Sequence, residues 1–186
     1  MGVSIHYKGT IDTNQIMPLC EELRDIAGSV GWAFHNIDDS EKELRGIILS
    51  PKSDLEAIAF LFDTKGRIHS VADLIVGWKE GDFLCTSVKT QFAGSAEHIW
   101  LCGLLRHVQR TYMPKLKVTD EGGFWETGDR AELQRRIDFL DQMIKQFGAA
   151  LEQASMDTVL DKNDPESIAD FIQKTAENFR RKKPDA

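Results

Sequence analysis

Residues 3–11 read Val3-Ser4-Ile5-His6-Tyr7-Lys8-Gly9-Thr10-Ile11, and their alternation decides the fold class. Ile5, Tyr7 and Ile11 fall on one side of an extended chain, and Ser4, His6, Lys8 and Thr10 on the other. Such a period of two marks a strand with one buried and one wet face. Asp12 or Thr13 then offers a helix cap. Ile16, Leu19, Cys20, Leu23, Ile26, Ala27 and Val30 recur at helical spacing, with Gly28 and Gly31 as stop signals.

Working outward from this strand and helix, short apolar runs alternate with polar turns. Residues 32–37 and 44–50 flank Asp38-Asp39-Ser40-Glu41, and residues 56–62 and 67–76 flank Asp63-Thr64-Lys65-Gly66. A further strand is expected over 83–91, after Gly81-Asp82. Connections this short join antiparallel neighbours. Ser95 is placed to cap a second helix over 96–112, with Leu101, Leu104, Leu105, Val108 and Tyr112 on its apolar face and Pro114 after it. Residues 116–126 predict a last strand, interrupted at Gly122-Gly123. The expected class is α+β: a mainly antiparallel sheet of about six to seven strands with two helices on one face, spanning residues 1–127.

The chain from 128 to 186 changes period. Asp129 and Glu132 form a capping-box pair, and Leu133, Ile137, Leu140, Ile144, Phe147 and Leu151 follow a heptad. Asp164-Pro165 opens a last helix with Ile168, Phe171, Ile172 and Phe179 on one face. A helical hairpin packed on the sheet domain is the simple expectation, and a homo-oligomer through residues 133–151 is the other use of such a seam. The basic run Arg180-Arg181-Lys182-Lys183 suits a helix C-terminus followed by a frayed tail.

Residues 4–11 and 85–92 share a grammar. Each is a strand with a lysine at the same place (Lys8, Lys89), followed by a capped helix and then a strand running into acids, Asp38-Asp39 or Asp120-Glu121. A βα-β pseudo-repeat would bring Ser4, His6, Lys8 and Thr10 onto one polar face with Ser87, Lys89 and Gln91.

Charge and composition exclude several classes. A 41% hydrophobic content over 186 residues argues against a disordered chain. Thirty acidic against twenty-three basic residues leave a net charge of −7, a poor start for neutralising phosphates, so no nucleic-acid partner is expected. No apolar run approaches the ~18–20 residues of a membrane span, and the first residues lack the apolar core of a signal peptide, so no membrane partner is expected. Cys20, Cys85 and Cys102 fall at core-type positions without metal-type spacing, which fits free thiols in the cytoplasm.

The densest chemical signal is Asp120-Glu121-Gly122-Gly123-Phe124-Trp125-Glu126-Thr127-Gly128-Asp129. Glycines admit close backbone approach, and carboxylates hold cations or move protons. The spacing is not that of an EF-hand. HExxH, CxxC, G-x-S-x-G and phosphate-loop patterns are absent from the sequence, so the motifs predict no metal centre and carry no nucleotide fingerprint, and the cofactor is left unknown. His98, beside Glu97 near a helix start, suits an N-terminal-turn role. The candidate site is therefore His6, Lys8, Lys89, Gln91, Asp120, Glu121, Trp125 and Glu126. It predicts a non-catalytic binding protein for a protein or small anionic ligand. The alternative is an enzyme in which Lys8 and Lys89 hold an anionic substrate and Asp120, Glu121 or Glu126 acts as general base or divalent-metal ligand, with His6 assisting proton transfer.

Overall fold

The computed structural model of the protein describes residues 2–52, 54–82, 84–157 and 165–181. The fold is α+β with antiparallel sheets and a C-terminal helical pair. The chain divides into two compact units, Met1–Ile137 and Asp138–Ala186, with the division inside one long helix.

In the first unit the strands form two sheets. One has three strands, with β1 (Ser4–Lys8) between β6 (Thr86–Lys89) and β7 (Lys117–Asp120), antiparallel to both. The other is a meander of β2 (Ala33–Asp39), β3 (Leu44–Ser50), β4 (Ile58–Phe62) and β5 (Ile68–His69). The chain beyond β1 stitches them together: Ile68 N–H donates to the Gly9 carbonyl at 3.0 Å, and Ile11 N–H to that of Gly66 at 2.8 Å. Tyr7 crosses the same seam, its hydroxyl donating to the Ala59 carbonyl at 2.9 Å and its ring 5.7 Å from that of Phe60. The core lies where Ile5, Tyr7, Val88, Leu49, Ile58, Phe60 and Phe62 meet the helices, all buried.

The helices are α1 (Ile16–Val30), α2 (Val71–Val76), α3 (Ser95–Thr111), α4 (Phe124–Thr127), α5 (Arg130–Asp157) and α6 (Pro165–Arg181). A single 3-10 turn, Thr13–Gln15, capped by Asp12, leads into α1, which buries Ile16, Leu19, Cys20, Leu23 and Ala27 of the expected stripe, leaves Ile26 half-buried and Val30 exposed, and ends at Gly31 with φ 71°. Helices α1 and α3 lie side by side. Glu22 accepts from His107 Nε2 at 2.8 Å and from the Tyr112 hydroxyl, and the Trp32 and Trp100 rings are 4.5 Å apart. The α5 start is half of a capping box: Asp129 accepts from Ala131 and Glu132 N–H, but Glu132 turns to Arg135 and Arg136 instead.

Four local expectations are corrected. Ser95 does not cap α3: it is the first helical residue after Gly94, and its hydroxyl donates to Gln134 Oε1 instead. Residues 67–76 do not form one strand, because β5 stops at His69 and Ser70 with Asp73 closes a capping box that opens α2. Residues 116–126 do not continue as a strand past Asp120. Gly123, at φ 75°, turns the chain into the single turn of α4. The two βα-β halves also diverge: β7 pairs with β1, whereas its counterpart β2 joins the other sheet. Asp164, Lys182 and Lys183 lie outside the described residues.

Candidate functional site

The register of the three-stranded sheet sorts the candidate residues. Ser4 faces Lys89, His6 faces Ser87 and Thr119, and Lys8 faces Lys117. Directly opposed residues share a face, so one row across the sheet holds Lys89, Ser4 and Glu121, the next Ser87, His6 and Thr119, and the last Lys8 and Lys117. This face is polar and half-exposed to exposed throughout. Its other side carries Ile5, Tyr7, Thr86, Val88 and Asp120, all buried.

Lys8 and Lys89 therefore share a face but stand at opposite ends of it. Four residues along β1 separate their rows, about 13 Å at strand rise. Glu121 belongs to the Lys89 end: its carboxylate accepts from Ser4 N–H at 2.9 Å and lies 3.6 Å from His6 Nε2. The neighbouring Asp120 points the other way, into the core. Alternation along β7 makes that separation unavoidable.

Gln91 leaves the polar face altogether. The amides of Thr90 and Gln91 both donate to the Val3 carbonyl, at 2.9 and 3.1 Å, which ends the β6 ladder. Strand parity fails there, and the Gln91 side chain is buried. Trp125 and Glu126 sit on α4. Arg106 lies over the Trp125 ring at 5.1 Å and donates to its carbonyl at 2.7 Å, while Glu126 is exposed.

A concavity of about 230 Å³ opens at the Lys8 end, lined by His6, Tyr7, Lys8, Cys85, Lys117 and Thr119. Two ammonium groups and an imidazole border a volume suited to a small molecule. Burial raises the Cys85 thiol above its usual pKa even though the Lys8 charge pulls it down. The thiol therefore stays protonated near neutrality, a weak donor and a poor nucleophile.

The side chains that sequence reading missed lie behind the sheet. His98 is fully buried on α3, with Nδ1 2.7 Å from the Thr90 hydroxyl and Nε2 3.0 Å from Asp120 Oδ2. Asp120 also accepts from the backbone N–H of Gly122 at 2.6 Å and of Trp125 at 2.8 Å. Burial opposes ionisation of Asp120, but the hydrogen bonds from His98, Trp125 and Gly122 outweigh it and hold the carboxyl below its usual range. With Asp120 ionised, the Nε2 proton points at its carboxylate, while the Thr90 hydroxyl beside Nδ1 donates to the Val3 carbonyl at 3.1 Å. The only sequence clue was His98 and Cys102 four residues apart, and their partner comes from a different element.

The chain gives no significant match to any family model, curated protein or solved structure. None of its described helices is long and apolar enough to cross a membrane.

Proposed function

We propose that the protein is a non-catalytic binding protein of the cytoplasm that takes a small anionic ligand at the Lys8–Lys117 end of its polar sheet face. One observation carries this reading: Lys8 and Lys117 are directly opposed on adjacent strands and both border the concavity. Like charges facing each other across a ladder are destabilising, by up to about 1 kcal/mol. A carboxylate or phosphate seated between them reverses the sign of that interaction, and the His6 imidazole and Thr119 hydroxyl are placed to add hydrogen bonds. The three free cysteines support a reducing compartment.

Calorimetric titration with inorganic phosphate and a series of small dicarboxylates tests the proposal. Binding is expected for at least one probe, weakening as salt rises. The double variant Lys8→Ala with Lys117→Ala is expected to raise Kd at least tenfold, whereas Lys89→Ala, about 13 Å away on the same face, changes it little. All three side chains lie on the polar face, so melting temperatures should hold and verify folding. Failure of every anionic probe to bind, or equal affinity in the double variant, overturns the reading.

A further inference from the structure

Behind the sheet, three side chains with different donor atoms converge. His98 and Cys102 stand one helical turn apart on α3, so they share a face. Asp120 reaches them from the end of β7. A ring nitrogen, the sulfur and a carboxylate oxygen all lie within 4.8 Å of one another, and all three residues are buried. We propose that His98 Nε2, Cys102 Sγ and the Asp120 carboxylate are the protein ligands of a zinc-class divalent ion, a site separate from the anion-binding face.

The donor set selects the ion. A thiolate with an imidazole disfavours magnesium and calcium, and one nitrogen, one sulfur and one oxygen suit a tetrahedral transition metal with a water in the fourth position. Tetrahedral zinc spaces its ligand atoms about 3.2–3.7 Å apart. The His98–Asp120 contact of 3.0 Å is close to that already, and no pair, all being within 4.8 Å, has more than about 1 Å to close.

The surroundings are those a metal site needs. Ligating histidines donate their second N–H to a fixed acceptor, and ligating carboxylates are themselves hydrogen-bonded. Nδ1 of His98 faces the Thr90 hydroxyl, which lies 3.1 Å from the Val3 carbonyl. Thr90 has one hydroxyl proton for these two neighbours. With metal on Nε2, Nδ1–H donates to Thr90 and Thr90 donates to Val3, so every group in the relay is used. The backbone amides of Gly122 and Trp125 fix the Asp120 oxygens. Gly122 also closes the roof. A Cβ there would stand 2.9 Å from His98 Cε1 and 2.7 Å from Leu133 Cδ1.

Protons balance on loading. The proton on His98 Nε2 leaves that atom, to Nδ1 if that nitrogen is bare and to solvent if it already carries one, and the Cys102 thiol gives one proton to solvent as its sulfur takes the ion.

Cobalt(II) titration of the untagged, chelator-stripped full chain tests the site. The expected result is one equivalent bound, with a thiolate-to-cobalt charge-transfer band and the intense visible bands of tetrahedral cobalt, both abolished by zinc. Cys102→Ser should lose the charge-transfer band and weaken binding at least tenfold, and Asp120→Asn should weaken binding at least tenfold. Cys20→Ser and Cys85→Ser should leave both unchanged. If Cys102→Ser does not fold, the wild-type spectrum decides alone, since Cys20 and Cys85 are excluded by their own variants. A folded wild-type chain that binds less than a tenth of an equivalent, or a charge-transfer band that survives in Cys102→Ser, overturns the proposal.

Discussion

Single residues hold this fold at points where backbone meets backbone. Gly46 in β3 has φ 151°, and a Cβ on it would lie 1.9 Å from the Phe60 carbonyl oxygen of β4. No side-chain rotation relieves a clash with backbone. Gly46→Ala should therefore cost about 3 kcal/mol, read as a fall in the urea midpoint at unchanged m-value. Tyr112 shows a subtler dependence. Its hydrogen bond to Glu22, then burial, push the phenol up to about 12 from 10.0, while the same bond holds Glu22 below the ordinary carboxylate range. A raised folded pKa means that stability is complete below pH 10 and is lost as pH climbs towards 12. A lowered one means that stability is present above the unfolded Glu22 value and is lost as pH falls below it. Tyr112→Phe should cost about 1 kcal/mol on the neutral plateau, the exposure of the pair limiting the effect, and should flatten the alkaline decline. Chemical denaturation between pH 7 and pH 11.5 measures both.

Elements were legible where their residues alternate or recur without competition, and illegible where a side chain captured the backbone. β1 and α1 follow their apolar periods closely because Ile5, Tyr7, Leu19 and Leu23 are all buried. Residues 67–76 alternate like a strand, yet Ser70 and Asp73 each satisfy the other's backbone amide, and that local closure wins over β-propensity. The same happens after Asp120, whose carboxylate gathers the amides of Gly122 and Trp125 and winds the chain into α4. The polar face was readable from parity as far as Lys89 and no further. Neither the register that sets Lys8 against Lys117 nor the meeting of His98 with Asp120 is written in any local pattern, since each joins strands or helices far apart in sequence. If the capping box is what ends β5, Ser70→Ala should destabilise the chain by about 1 kcal/mol, and Ser70→Asp, which keeps an acceptor for the Asp73 amide, by less. Thermal melts of the two variants side by side decide it.

At the scale of the whole molecule, α5 is divided between two units: its first two turns carry core residues of Met1–Ile137, and the remainder belongs to Asp138–Ala186. Leu133 and Ile137 are buried, and Leu133 packs where Gly122 and His98 meet. Burying a leucine and an isoleucine contributes roughly 1.5–3 kcal/mol each, a large part of the net stability of a domain this size. The compact N-terminal unit therefore extends through the first turns of the long helix, whatever the rest of that helix packs against. A chain of residues 1–137 should fold cooperatively, with a melting temperature near that of the first transition in the full protein. A chain of residues 1–127 removes Leu133 and Ile137 and uncovers the buried His98–Asp120 pair, which is then solvated on one side. It should melt at least 8 °C lower, the shift expected for a loss of ~2 kcal/mol or more in a domain of this length, and should bind a hydrophobic dye before it melts. Calorimetry of the two truncations measures the difference; equal melting temperatures would mean that the helix start is a passenger on the sheet unit and that its buried leucine seals nothing.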